Sequence, residues 1–324
     1  MTVVSSGQPG VKTYGTLAFA HPVLTAFSWP YVSIRGDRAG PTVCVTAGMH
    51  GSEYAGIEAA LRLANELEPG RLAGHVIVLP IINQLAFWDR VAGVVPADGK
   101  NLSRVFPGRR DGTATEVMAA YLFDEVFARC DALIDLHGGD VMERLMPFTI
   151  YQETDDPVLD AKSRALAASY GLPLAVRRSK EVLRRPVPGY MQAAAGMRGI
   201  PAIVAEAGGE DQAKPSDVDV HLRGLRNSLT HLGVISGGSV SPAPLRLVEF
   251  TLVSASREGL FSSSVDLGDQ VRSGQLIGQL RDLWGRHLED VIAPVDATVL
   301  FFSTSMAAKQ GQLLFGLGAP VSAG

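Results

Sequence analysis

Three apolar runs of this 324-residue chain end in the same way, with ionisable residues beside glycines. In chain order, the residues at these ends are His50 with Glu53, then His137, then Glu206. Short apolar runs rich in β-branched residues predict strands that are buried on both faces of a sheet. Because the carboxyl ends of strands form the ligand crevice of an open α/β sheet, we expect these side chains to converge.

The segments between these runs alternate between helix and strand patterns. Residues 55–67 have the periodicity of a helix and lie between predicted strands at 42–47 and 75–82. This order predicts a parallel pair of strands joined by a right-handed crossover. Further helices are predicted at 113–129, 156–170, 192–197 and 217–232. Residues 83–110 have little periodicity and are predicted to be a long loop, a kind of segment that is often functional. Residues 177–190 are predicted to be a basic loop interrupted by prolines.

The composition changes after about residue 236. Residues 236–244 are rich in glycine, serine and proline, as linkers are. Beyond them, short strand patterns alternate with glycine turns. The sequence therefore predicts an α/β catalytic domain at 1–238 and a small all-β domain at 245–324.

The composition also excludes some function classes. The net charge is −4 and no basic stripe is present, so nucleic acid is not an expected partner. No apolar run is long enough to span a membrane, and the N-terminus lacks the pattern of a signal peptide. Cys44 and Cys130 lie in apolar runs and are expected to be reduced core residues. A cytoplasmic protein without membrane contacts is the simplest interpretation.

His50 and Glu53 alone fit two interpretations equally well: a metal-binding corner, or a strand–helix turn whose glutamate is stabilised by the helix dipole. His137 favours the metal-binding interpretation, because two histidines, one glutamate and a water form a known ligand set of catalytic zinc. A carboxylate that stays off the metal must then move a proton, and Glu206 fits this need. Asp135 precedes His137 by two residues and could orient it through a hydrogen bond.

Four stretches together resemble a known family. They read GMHGSEYAG from Gly48, NLSRVFPG from Asn101, DLHGG from Asp135 and VAEAGG from Val204. In this order they are similar to the motifs of the aspartoacylase/succinylglutamate desuccinylase family, a branch of the zinc carboxypeptidase superfamily.

The resemblance implies a zinc-carboxypeptidase-like three-layer α/β/α domain with a mixed central sheet. It implies one zinc ion per chain, bound by His50, Glu53 and His137, with Glu206 as the general base. It also implies that Arg104 grips a small-molecule N-acyl substrate, and it suggests a homo-oligomer.

The chain departs from the family pattern at two positions. Ser103 stands where the family has an asparagine that assists carboxylate binding, although Asn101 lies two residues earlier. Gly93 stands where many members have an arginine that polarises the scissile carbonyl, and Arg90 is the nearest arginine. Asn101, Ser103 and Arg90 are therefore candidate substrate-binding residues, and Arg90 fits a solvated loop charge equally well.

The basic loop 177–190 supplies further candidates. Tyr190 follows Pro188 and Gly189 and could lean over the site, as a loop tyrosine does in the superfamily. Four arginines of the loop suit an anionic substrate, although at least two of them are expected to be solvated. They are Arg177, Arg178, Arg184 and Arg185.

The C-terminal pattern is similar to the β-hammerhead of biotinyl and lipoyl domains, a barrel-sandwich fold. Such carriers need a lysine at an exposed hairpin tip, and residues 281–290 between the two halves contain none. A swinging-arm function is therefore not expected. By the resemblance, this domain covers the active-site cleft and narrows access to it.

These observations predict a zinc-dependent amidohydrolase that removes a small acyl group from an N-acylated amino acid or related amine. A carboxypeptidase or peptide amidase with the same zinc centre is the alternative within enzymes. A non-catalytic binding protein on the same scaffold is the alternative outside enzymes. Because Ser103 and Gly93 alter the carboxylate-binding neighbourhood, we expect poor activity on N-acetylaspartate and on succinylglutamate.

Overall fold

The structure is a computed structural model that describes residues 7–237 and 245–321. The helices are α1 Tyr54–Glu66, α2 Gln84–Asp89, α3 Ala114–Glu125, α4 Pro157–Ser169, α5 Met191–Gly196 and α6 Pro215–His231. The first nine strands are β1 Val11–Leu17, β2 Trp29–Arg35, β3 Arg38–Thr46, β4 Ala73–Leu79, β5 Ala132–His137, β6 Glu143–Leu145, β7 Phe148–Gln152, β8 Leu174–Arg178 and β9 Ala202–Glu206. The remaining strands are β10 Arg246–Ser254, β11 Gly259–Ser263, β12 Gln270–Val271, β13 Leu276–Arg281, β14 His287–Ile292, β15 Ala297–Ser303, β16 Ala307–Ala308 and β17 Leu313–Pro320.

The middle of the large sheet is parallel, in the order β4-β3-β5-β9. Thr46 on β3 pairs with Asp135 on β5, and His137 on β5 pairs with Glu206 on β9. The carboxyl ends of the three apolar strands therefore lie side by side, as the sequence predicted. The sheet is mixed, because β7 runs antiparallel to β9, and β1 and β2 add an antiparallel edge.

Helices cover both faces of this sheet. One cluster of buried side chains joins α1, α4 and α6 to one face, and a second cluster joins α3 and α5 to the other. The apolar faces of the helices and strands are thus buried in two layers of core, which gives the predicted three-layer arrangement. Cys44 and Cys130 are both free and buried, as expected.

The C-terminal strands extend the same sheet. β10 pairs in parallel with β8, and β17, β15 and β12 follow beyond it. A separate four-stranded sheet, β14-β13-β11-β16, packs with them around its own core. The predicted fold class, an α/β domain followed by a small β unit, is confirmed. The domain boundaries stay a prediction, because most of the predicted linker, residues 238–244, lies outside the described residues.

Two local predictions are corrected. The predicted loop 83–110 contains the short helix α2, which begins where the side chain of Asn83 accepts a hydrogen bond from the backbone N–H of Ala86 at 3.2 Å. Six residues are too few to give a readable helical period. The predicted loop 177–190 begins inside β8, whose arginine pair at its end gave a loop-like composition. Within the described residues, no helix is long and apolar enough to cross a membrane.

Candidate metal centre and substrate cavity

The corner after β3 places His50 and Glu53 at the edge of the sheet. Gly48 has a φ of +64°, a conformation that favours glycine, and it turns the chain out of the strand. Glu53 directly precedes α1, but its side chain forms no capping hydrogen bond with the helix. The carboxylate instead faces two histidines. The structure therefore favours the metal-binding interpretation of this corner over the capped turn.

Glu53 lies between the two histidines. Its Oε1 is 2.6 Å from His50 Nδ1, and its Oε2 is 2.9 Å from His137 Nδ1. One ligand atom from each of the three residues lies within 4.8 Å of the others. Within the described residues, Oε2 has no hydrogen-bond partner of good geometry, even though it is buried. A buried carboxylate that lies between two Nδ1 atoms and has one unsatisfied oxygen fits a divalent cation.

The outer nitrogens of both histidines are held by oxygen atoms. His137 Nε2 lies 3.0 Å from Asp135 Oδ2, and Asp135 in turn accepts a hydrogen bond from Thr46 Oγ1 at 2.6 Å. His50 Nε2 lies 3.2 Å from both Asn101 Oδ1 and Ser103 Oγ. Partners of this kind fix the tautomer, so that each Nδ1 is left as the metal-facing atom.

The three groups stabilise one another's charges. Burial would lower the pKa of His137, but the carboxylates of Glu53 and Asp135 outweigh it and raise that pKa well above its usual value. Burial would raise the pKa of Glu53, but His50 and His137 lower it to about 2. A metal ion would therefore compete with protons on the histidines, and its binding would weaken at low pH.

Glu206 lies at the end of β9 beside His137 and lines a cavity next to the metal corner. Burial raises its pKa to about 8, against the opposing effect of His137. The charges of Glu53 and Glu143 add to this rise. A carboxylate with a pKa near neutrality can both take up and release a proton at neutral pH.

The cavity beside these residues has a volume of about 430 Å³. Arg104, Arg178 and Arg185 line it. The ring of Tyr190 lies between two of these arginines, with centroid distances of 4.8 Å to Arg104 Cζ and 3.7 Å to Arg178 Cζ. Burial lowers the pKa of Arg178, and the charge of Arg104 adds to this decrease, whereas Tyr190 and Glu206 oppose it. These cations give the cavity an anion-binding wall.

The remaining loop arginines lie elsewhere. Arg177 pairs with Glu249 and Glu153, and Arg184 pairs with Glu181 at the surface. Arg90 is exposed at the end of α2 and does not line the cavity. The structure thus gives no geometric support to its predicted contact with substrate. Ser103, Asn101, Tyr190 and Arg104 do line the cavity, together with the predicted ligands and Glu206.

Sequence reasoning missed two kinds of lining residue. The first kind is the carboxylates of Asp140 and Glu143, which follow the DLHGG stretch and belong to none of the recognised motifs. Four apolar side chains come from the C-terminal strands, where only the fold brings them to the site. They are Phe250, Leu252, Phe301 and Leu313.

Comparisons with known proteins agree with this geometry. Residues 39–232 match the model of the succinylglutamate desuccinylase/aspartoacylase catalytic domain. N-alpha-acetyl-L-2,4-diaminobutyric acid deacetylase from Halomonas elongata is 30% identical over 269 residues, which cover 81% of this chain and 75% of the relative.

Two solved structures have the same architecture. The product-bound ectoine utilization protein EutE (DoeB) from Ruegeria pomeroyi is 25% identical, with a TM-score of 0.85 over 97% of this chain and 96% of its own. A succinylglutamate desuccinylase/aspartoacylase from Rhodobacter sphaeroides is also 25% identical, with a TM-score of 0.85 over 98% and 97% of the two chains. The resemblance inferred from four short motifs is confirmed: this chain belongs to the succinylglutamate desuccinylase/aspartoacylase family.

Proposed function

We propose that this protein is a zinc-dependent deacylase that hydrolyses the amide bond of small N-acylated amino acids. The observation that carries the proposal is the arrangement of Glu53 between two Nδ1 atoms, with the carboxylate of Glu206 on the neighbouring strand. Family membership and a deacetylase relative support a hydrolase acting on amides. The donor set of two imidazoles and one carboxylate supports zinc.

Each part of the cavity has a task in this reaction. A zinc ion bound at His50, Glu53 and His137 would supply the Lewis acidity that activates a water and polarises the acyl carbonyl. Glu206 accepts the proton of the attacking water on its carboxylate and then donates it to the nitrogen of the departing amine. Arg104 binds the substrate carboxylate and orients the amide.

The size and lining of the cavity favour small substrates. A volume of about 430 Å³, closed on one side by the C-terminal strands, suits a single acylated amino acid. The relative from Halomonas elongata acts on an acetylated diamino acid, which supports a short acyl group. A carboxypeptidase or peptide amidase with the same centre would instead cleave dipeptides and leave N-acyl amino acids intact.

A hydrolysis panel with and without chelator tests the proposal. It contains N-acetyl, N-succinyl and N-formyl derivatives of acidic, basic and neutral amino acids, and a set of dipeptides. We expect chelator-sensitive turnover of one or more N-acyl amino acids. N-acetylaspartate and succinylglutamate are expected to be poor substrates, because Ser103 and Gly93 replace residues that the family pattern assigns to the substrate.

The variant Glu206→Gln tests the proton transfer. We expect it to lose roughly 10²- to 10⁴-fold in kcat, the usual contribution of a general base. Glu58→Gln, on the exposed face of α1, removes the same charge outside the cavity and serves as the control. Full hydrolysis by Glu206→Gln would reject the mechanism.

A further inference from the structure

Glu143 faces two neighbouring cavities without a cationic partner. A smaller cavity of about 150 Å³ adjoins the metal cavity. The two share the lining residues Asp140, Glu143, Phe301 and Leu313. Within residues 7–237 and 245–321, no lysine, arginine or histidine forms an ion pair with Glu143. A largely buried carboxylate without a counter-charge is costly, so a cation from outside the protein would be bound there favourably.

The backbone holds Glu143 firmly at this position. A Cβ atom on either Gly139 or Gly209 would clash with the carbonyl oxygen of Glu143, so both double-glycine stretches are needed for this close approach. The backbone N–H of Glu210 donates a hydrogen bond to that oxygen at 3.2 Å. On the other side, Glu143 pairs with Ser303 of β15. The loops that follow both DLHGG and VAEAGG thus converge on this one residue.

Positive and negative side chains are segregated along the cavities. Arg104, Arg178 and Arg185 line only the larger cavity, whereas the smaller one is lined by carboxylates and by neutral residues. Asp140 is partly engaged, since its Oδ1 accepts hydrogen bonds from the hydroxyl of Ser52 and from the N–H of Val141. Within the described part of the chain, the carboxylate of Glu143 forms no ion pair and can meet a positive group.

Resting on the proposed deacylase function, we propose that the site takes N-acyl amino acids whose side chain ends in an ammonium group, and that Glu143 selects for this charge. The α-carboxylate meets the arginines, and the scissile amide lies at the metal corner. The side chain then extends toward the shared wall of the two cavities, where its ammonium pairs with Glu143. Asp140 adds negative potential there without a direct bond.

A matched pair of substrates tests this inference. N-α-acetyl-2,4-diaminobutyrate and N-acetylnorvaline have side chains of equal length that end in an ammonium and in a methyl group. We expect the protein to prefer the ammonium substrate in kcat/KM. Glu143→Gln should lower kcat/KM for this substrate roughly tenfold to a hundredfold, mainly through KM, because it removes one charge-assisted hydrogen bond. The ratio of kcat/KM for the two substrates is the readout, because the charge of Glu143 also contributes to the pKa of Glu206 and a change there acts on both substrates alike.

Two further variants complete the set. Glu143→Asp keeps the charge on a shorter side chain and should retain part of the preference. Glu58→Gln controls for the loss of one negative charge, and thermal unfolding verifies that all variants fold. An equal loss on both substrates in Glu143→Gln would assign Glu143 to the chemical step or to the fold and overturn the inference. An unchanged preference would also overturn it.

Binding of the free amino acids separates this inference from the proposed function. If neither substrate is hydrolysed, the deacylase proposal fails, but calorimetry still tests Glu143. We expect 2,4-diaminobutyrate to bind more tightly than norvaline to the zinc-loaded protein, and Glu143→Gln to abolish the difference. Equal affinities in the unmodified protein would overturn the selection by charge.

Discussion

At the scale of single residues, position in the fold changes what a side chain does. Ser103 and Asn101 were predicted to contact substrate, because they stand near the arginine of the family loop. In the structure, both also lie 3.2 Å from His50 Nε2, so they contact a candidate metal ligand as well as line the cavity. Asp135 was predicted to orient His137 from its spacing along the strand, and it does contact His137 Nε2. A strand period can be read from sequence, whereas a contact across a loop cannot.

One histidine outside the candidate metal centre lies in the core of the large sheet. His75 is buried on β4, and its Nε2 lies 2.7 Å from Ser33 Oγ. Burial, aided by Arg35, lowers the pKa of His75 from 6.5 to about 4. As the pH falls below 6.5, this histidine binds a proton in the unfolded chain but stays neutral in the folded chain until the pH nears 4. The stability contributed by neutral His75 is therefore present above pH 6.5 and lost between pH 6.5 and 4.

The variant His75→Gln should remove this pH dependence. Urea denaturation measures the free energy of unfolding at pH 7 and at pH 5. Between these two values, we expect it to fall by about 2 kcal/mol more in the unmodified protein than in the variant. His287→Gln, at an exposed position, controls for the loss of one histidine. Parallel pH profiles for the unmodified protein and His75→Gln would contradict the assignment.

At the scale of elements, close backbone approach positions the site. The large sheet brings β3, β5 and β9 together, and the order of the apolar runs was enough to predict this. The sequence did not reveal β6, a strand of three residues that pairs with β15 about 160 positions later. Such a short strand has no readable period, and its partner is set by tertiary packing. The double glycines do more than let the chain turn at the strand ends. Gly139 and Gly209 also leave room for the backbone of Glu143.

Gly209→Ala tests this packing. The added methyl group would meet the carbonyl oxygen of Glu143, and backbone cannot move aside as a side-chain tip can. We expect a loss of about 1–3 kcal/mol in the free energy of unfolding and a fall in deacylase activity. Gly70→Ala is the matched control, since a Cβ there meets nothing within 4 Å. Equal stability of the two variants would show that the β6 segment can shift without cost.

At the scale of the whole molecule, the site depends on both parts of the chain. The candidate metal ligands, Glu206 and Arg104 come from the first part of the chain and lie in sequence motifs, so their place in one site could be predicted. The apolar wall comes from β10, β15 and β17, and a junction core that includes Phe148, Val248 and Leu300 joins these strands to the large sheet. No motif marks that wall, because any apolar residue of suitable size serves there. The reaction type was therefore easier to predict than the substrate.

Zinc stoichiometry tests the central claim most directly. We predict one zinc per chain in the purified, zinc-reconstituted protein, measured by elemental mass spectrometry after removal of free metal. The variants His137→Asn and Glu53→Gln should retain much less zinc, because each loses a proposed ligand. Glu206→Gln should retain the full amount of zinc but lose hydrolysis, because Glu206 is not a proposed ligand. Absence of bound zinc in the unmodified protein, or full zinc in both ligand variants, would contradict the account.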